Sequence, residues 1–268
     1  MAINIETIKT ENVTMNYFRF GKQGGSPLVI IPGLSIKSVM ESAEFIEVAY
    51  SIFVDEYDVY VMDRRQNLPE VYSIEEMAVD TAEVIKKLGL SKISIISTSQ
   101  GGMISMHMAL KYPDLISNLI IASSSAHAND KSLAVIKKWI SLAKSGDKQA
   151  LMLDFADKCY TREYASKYHD AFLKIAETVT DEELKRFITI ASDLSDMDIS
   201  DKIKNIKSRV LVLGADKDEV FGMEPTLELA RELNCESYIY KDYGHAFYDE
   251  APDCTGRIYK FLKGSSNT

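Results

Sequence analysis

The chain has 268 residues, 46% hydrophobic and 26% charged, the balance of a globular protein with one large α/β domain or one domain carrying an insertion. Its formal net charge of −9 argues against nucleic-acid or anionic-membrane partners. Cys159, Cys235 and Cys254 are scattered without a CxxC spacing, which points to reduced thiols rather than a disulfide framework or a zinc site. Met1–Glu6 shows no basic region followed by an apolar core, and no apolar run approaches a membrane span. A cytoplasmic protein is therefore expected, with the Asn12-Val13-Thr14 sequon accidental.

In chain order, Thr7 to Phe20 alternates apolar and polar residues around Glu11-Asn12, the pattern of an antiparallel hairpin. Gly21 to Ser26 reads as a loop, and its glycines precede a strand rather than follow one, which disfavours a phosphate cradle. Leu28–Ile31 is a continuously apolar strand ending at Pro32-Gly33, and a helical stretch from about Lys37 to Tyr50 comes next. A second buried strand, Val59–Met62, ends at Asp63. Ser73-Ile74-Glu75-Glu76 is a capping box opening a helix that runs to about Leu88 and stops at Gly89. A short β-branched strand from Ile93 follows and stops at the turn beginning with Ser97, then a helix with Met103, Met106, His107 and Leu110 on one face. Further strands are Leu119–Ala122, Val210–Gly214 and Tyr238–Tyr240, and a last helix begins near Pro252 and buries Cys254, Ile258, Phe261 and Leu262. Continuously apolar strands alternating with helices predict a mostly parallel sheet covered on both faces. The stretch from about His127 to Ser200 breaks that rhythm. It holds several helical patterns, one capped at Thr180-Asp181-Glu182-Glu183, and no convincing strand, so it reads as a helical insertion.

Chemistry concentrates where the strand from Ile93 meets the next helix. Ser97-Thr98-Ser99-Gln100-Gly101 is a small-x-Ser-x-Gly turn between strand and helix, the context in which a serine hydroxyl is lifted off a sheet as a nucleophile. Glycine is more usual at the first small position; here it is Ser97. Of the four histidines, His107 lies on an apolar helix face and reads as a core residue. His169 lies beside Lys167 and Asp170 and reads as solvated, while His127 carries no motif. His245, in a loop after the final strand, falls at the carboxyl edge of the sheet where open α/β sites gather. The loop Gly214-Ala215-Asp216-Lys217-Asp218-Glu219 offers an acid to orient it, Asp218 by preference and Asp216 as runner-up. The backbone N–H groups of Leu34, in the loop after the first parallel strand, and of Gln100 are the candidate oxyanion donors. No metal or organic cofactor is called for.

These residues, with Pro32-Gly33-Leu34, Asp63-Arg64-Arg65 and Gly244-His245, resemble the α/β-hydrolase superfamily along nearly the full length, and most of all its capped single-domain bacterial members. The resemblance implies an eight-stranded, mostly parallel sheet within one domain over 1–268, a helical cap at about 127–200, and a site between them. It implies an acyl-enzyme mechanism with Ser99, His245 and Asp218 on a small-molecule acyl substrate, a small or medium carboxylic ester first. Aminopeptidase, carbon–carbon bond hydrolase and perhydrolase chemistry share that triad, and a non-catalytic ligand cage on the same fold is the alternative of another class. An aminopeptidase would need an acid for the substrate amine, with Asp154 or Asp157 in the cap as candidates. Asp63-Arg64-Arg65 is expected to be a turn bracing loops near the site. Among Trp139, Leu142, Met152, Phe155, Tyr160, Tyr164, Tyr168 and Phe172, most are expected to hold the cap together and a few to face the cleft.

Overall fold

A computed structural model of the protein describes residues 3–264. Eight strands form one sheet: β1 (Ile5–Lys9), β2 (Thr14–Gly21), β3 (Ser26–Ile31), β4 (Tyr57–Arg65), β5 (Ile93–Thr98), β6 (Ile116–Ala122), β7 (Arg209–Ala215) and β8 (Glu236–Tyr240). Their order is β1-β2-β4-β3-β5-β6-β7-β8, with β1–β2 and β2–β4 antiparallel and every later pair parallel. The period of two along each strand sorts the apolar residues onto two faces. Val29, Ile31, Ile95, Ile121 and Val212 belong to one core, and Leu28, Ile30, Ile96, Ile120, Leu211 and Leu213 to the other. That two-sided burial explains why these strands are continuously apolar.

The helices are α1 (Ala43–Ala49), α2 (Ile74–Lys87), α3 (Gln100–Lys111), α4 (Asp130–Ser145), α5 (Lys148–Cys159), α6 (Arg162–Lys167), α7 (His169–Thr178), α8 (Asp181–Ser192), α9 (Met223–Glu232), α10 (Phe247–Glu250) and α11 (Cys254–Gly264). Both expected capping boxes form: Ser73 with Glu76 starts α2, and Thr180 with Glu183 starts α8. Helices α4 to α8 lie between β6 and β7 and make up the insertion, where the only strand-like pairing among the described residues is an isolated bridge from His127 to Asp198. The expected helix over Lys37–Tyr50 is split into a 3₁₀ turn at Val39–Ser42 and the short α1. Asp63-Arg64-Arg65 is not a turn but the last residues of β4, which runs past Asp63 to Arg65 because Met15 of β2 still pairs with Arg65. Among the described residues no helix is long and apolar enough to cross a membrane.

After β3 the chain moves to one side of the sheet, and after β5 to the other. This reversal between neighbouring parallel strands opens a crevice at their carboxyl ends. The start of α3 crosses the end of β3 so closely that a Cβ on Gly101 would sit 2.0 Å from Ile31 O and 2.6 Å from Pro32 O. No side chain fits there without moving backbone. Gly101→Ala is expected to destabilise the fold by about 1–3 kcal/mol, read as a lowered urea midpoint; an unchanged midpoint would mean the crossing is looser than described.

Candidate active site

β5 is buried along its whole length and delivers Ser99 at its carboxyl end, one residue before α3 begins. Ser99 holds φ 51° and ψ −122°, a conformation that side-chain-bearing residues avoid and that is kept here by its surroundings. Its N–H donates to Ala122 O at 2.8 Å, and its carbonyl accepts from Gly102 N at 2.9 Å. The first N–H groups of a helix lack intrahelical partners, and Gln100 carries the first of α3. Gly33, beside it at the end of β3, donates its N–H to Thr98 Oγ1 at 3.0 Å. Ser97 fits in place of a glycine because its hydroxyl has partners: Ile120 O and Ser105 Oγ, each at 2.8 Å.

At the far side of the crevice, His245 Nδ1 lies 2.8 Å from Asp218 Oδ2, with both side chains buried. The other oxygen, Asp218 Oδ1, accepts from Val220 N at 2.7 Å and Phe221 N at 2.9 Å. Burial alone would raise the Asp218 carboxyl, but the His245 charge and hydrogen bond and the two backbone donors outweigh it and hold it below the ordinary carboxylate range. An ionised carboxylate can only accept, so Nδ1 of His245 donates, and in the neutral ring Nε2 then carries the lone pair. Asp216, the runner-up, points elsewhere: its Oδ1 accepts from Asp242 N at 2.8 Å, in exposed loop. The backbone of His245 is also fixed, its carbonyl accepting from Ser123 Oγ at 2.6 Å.

Ser99, Gln100, Gly33, Leu34 and His245 line one cavity of about 270 Å³, bounded on the insertion side by Ile136, Trp139, Phe155, Cys159 and Tyr160. Trp139 and Phe155 pack with ring centroids 4.5 Å apart. Of the eight insertion side chains considered from sequence, Trp139, Phe155 and Tyr160 reach the cavity, and Leu142, Met152, Tyr164, Tyr168 and Phe172 do not line it. The other histidines stay apart. His127 Nδ1 lies 3.1 Å from Ser200 Oγ, His169 is exposed beside Asp170, and His107 is half-buried rather than in the core, burial pushing its imidazole down. Burial pushes the Cys159 thiol well up, which leaves it a poor rival nucleophile.

Arg64 is buried, drawn down to about 10 by desolvation, and its Nη2 donates to Pro32 O at 2.7 Å and Gln100 Oε1 at 3.1 Å. It braces the two loops that carry Leu34 and Gln100 and does not face the cavity that Ser99 lines. The acids expected to hold an amine are also otherwise engaged or placed. Asp154 accepts from Lys138 Nζ and from Trp139 Nε1 at 3.0 Å, and Asp157 is exposed outside the cavity. The acid that does line the cavity is Asp249 on α10, whose Oδ2 accepts from Tyr160 Oη at 3.0 Å. Sequence reasoning passed over it, because Phe247-Tyr248-Asp249-Glu250 carries no motif; its signal was its position four residues after His245.

The family described as the alpha/beta hydrolase fold matches residues 26–252. Among curated proteins, the chain is 23% identical over 202 residues to a putative carbamate hydrolase RutD of Pantoea ananatis, covering 74% of this chain and 73% of the relative. Among solved structures, an alpha/beta hydrolase enzyme, MGS-M2, from a Medee basin deep-sea metagenome superposes with a TM-score of 0.86 at 20% identity, over 96% of this chain and 97% of that one. The enol-lactonase of Burkholderia xenovorans LB400 gives 0.84 at 16% identity, over 96% and 100%. At these identities the structural likeness shows a shared fold.

Asp249 has a measurable electrostatic signature. Asp249 is an exposed residue that lines the cavity beside Tyr160, where nearby protein displaces part of its hydration. Burial first, and the Glu250 charge with it, push its carboxyl up to about 6 against the pull of the Tyr160 hydrogen bond. A carboxyl that binds its proton more tightly when folded costs stability once ionised. That cost is absent below the ordinary value near about 4, grows as pH rises, and is complete above about 6. The melting temperature of Asp249→Asn should therefore gain on the wild type between about pH 4 and pH 7; a difference flat across that range would mean the carboxylate is hydrated as in free solution.

Proposed function

The chain belongs to the α/β-hydrolase family, and from that premise we propose that it is a serine hydrolase cleaving small carboxylic esters through an acyl-enzyme. The observation that carries this reading is the buried Asp218–His245 hydrogen bond, whose histidine lines the same cavity as Ser99. Ser99 Oγ would attack the ester carbonyl carbon as His245 Nε2 takes its proton. The carbonyl oxygen would gather negative charge against the N–H groups of Leu34 and Gln100. Collapse breaks the bond to the alcohol oxygen, which leaves with the proton from His245. Water then attacks the acyl carbonyl, giving its proton to His245, and the carboxylic acid departs as Ser99 is restored. Asp218 keeps the donor nitrogen of His245 turned away from the reaction and stabilises the imidazolium.

Relatives named a putative carbamate hydrolase and an enol-lactonase support a substrate with an acyl carbonyl. A cavity of about 270 Å³ favours a small one. The aminopeptidase reading gains nothing from Asp154, whose two oxygens are already taken.

Treatment with a fluorophosphonate should add one adduct by intact mass to the wild type and none to Ser99→Ala. Hydrolysis of a short-chain nitrophenyl ester should be lost with the same substitution. A ligand cage would keep ligand binding in both proteins and take no adduct, and that result would overturn the hydrolase assignment. Asp218→Asn should lower kcat by about 10³–10⁴-fold with a small change in KM, whereas Asp216→Asn should stay within about threefold of wild type. Nitrophenyl butyrate should be preferred over the decanoate by at least about tenfold in kcat/KM.

A further inference from the structure

Asp249 has no part in that reaction, yet it faces the same cavity. It is the only carboxylate among the described residues lining the cavity, and no lysine or arginine lines it. Tyr160 supplies one donor to Oδ2, against about four lone-pair positions on an ionised carboxylate. Its charge is felt by Tyr50, Tyr160 and Tyr248, and all three line the cavity as well.

The position of Asp249 is held rather than incidental. Its neighbour Glu250 accepts from Thr161 N at 3.0 Å and from Thr161 Oγ1, at the start of α6. Ala246 N donates to Cys159 O at 2.6 Å, and a Cβ on Gly244 would sit 2.9 Å from that same oxygen. Short helix α10 is thus clamped to the insertion on both sides of Asp249. A negative charge lining the cavity with no lysine or arginine beside it attracts an incoming cation. The walls suit one: the faces of tyrosine and tryptophan attract cations, and Tyr50, Tyr160, Tyr248 and Trp139 provide them.

We propose that Asp249, with Tyr50, Tyr160 and Tyr248, forms a subsite for a cationic nitrogen, so that the preferred substrate is a small ester carrying an ammonium group. The proposal rests on the serine-hydrolase reading of the same cavity. It assigns the acid to binding and the serine to chemistry, so Asp249 is a specificity-determining residue rather than a catalytic one. The net charge of −9 draws such a substrate toward the protein.

The test compares acetylcholine with its all-carbon isostere, 3,3-dimethylbutyl acetate, and the methyl ester of γ-trimethylammoniobutyrate with its own all-carbon isostere. Each pair has one shape and differs in charge, and the two pairs place the cation on the alcohol and acyl sides. Binding is measured by calorimetry on Ser99→Ala, which leaves the esters intact, and kcat/KM on the wild type. In one pair the cationic ester should bind at least about tenfold tighter and be turned over with a similar preference. In Ser99→Ala/Asp249→Asn the ratio of the two dissociation constants should fall at least about fivefold, leaving what the aromatic faces supply. A ratio near one for both pairs in Ser99→Ala, or a preference undiminished by the second substitution, would overturn the proposal. If the wild type cleaves no ester and takes no fluorophosphonate, the hydrolase reading fails, while the binding ratio still decides the cation subsite. The wild-type ratio needs no variant at Asp249, so a folding defect there cannot hide the answer.

Discussion

The start of α3 passes over the end of β3 with backbone against backbone, and Gly101 is the residue that permits it. Much else is arranged around that crossing. It forces the chain to turn within one residue of β5, which puts Ser99 into its positive-φ conformation. It also brings Gln100, at the start of α3, beside the Pro32-Gly33-Leu34 loop, so residues from distant parts of the chain line one cavity. Parallel pairing of β3 with β5 supplies the frame, because Ile31 pairs with Ser97 just before the two loops diverge. A serine on a relaxed turn would have neither the exposure nor the donors; the strain is offset by burial of the flanking strands and by the hydrogen bonds that lock the turn.

The insertion is tied to this frame by polar contacts as well as by apolar packing. Arg186 of α8 pairs with Asp63 at 2.8 Å, and Asp63 also accepts from Ser38 Oγ at 2.6 Å and Arg64 N at 2.7 Å. Gln100 turns its side chain outward to donate to Ile190 O at 2.8 Å while accepting from Arg64. Buried charges such as Arg64 and Asp63 cost desolvation and stabilise little overall, but removing one partner leaves the other stranded, at about 3–5 kcal/mol. Their value lies in geometry: they give the loops carrying Leu34 and Gln100 one position relative to the insertion. A second set of bonds, from Glu250 and Ala246 to the segment between α5 and α6, does the same for the loop carrying His245.

Local signals were legible in the sequence. The capping boxes at Ser73 and Thr180, the strands that are apolar throughout, and the turn at Ser99 each depend on a few adjacent residues whose chemistry has one good solution. The choice of Asp218 over Asp216 was half legible; what separates them is that Val220 and Phe221 turn their N–H groups back onto Asp218, a matter of loop shape. Two features were not legible. Asp63-Arg64-Arg65 read as a turn because charged residues rarely end a buried strand, but their partners lie 123 residues away for Asp63 and 36 for Arg64. Asp249 reads as a surface acid in any local window, and only the folding of the insertion over α10 puts it into a cavity.

Asp218, behind His245, and Asp249, lining the cavity, show how environment sets one side chain in two ways. Asp218 is surrounded by donors, two from the backbone and one from His245, so its charge is solvated by the protein and its carboxyl is held low. Asp249 has one hydroxyl donor, aromatic neighbours and the Glu250 charge nearby, so its carboxyl is pushed up. A structural acid placed for stability would resemble the first. An acid with few protein donors on the side facing a cavity is free to meet a complementary ligand there. On the proposed function, the few protein donors at Asp249 and the complete set at Asp218 would divide the labour of the site, one left open toward what binds and the other closed around the reacting histidine.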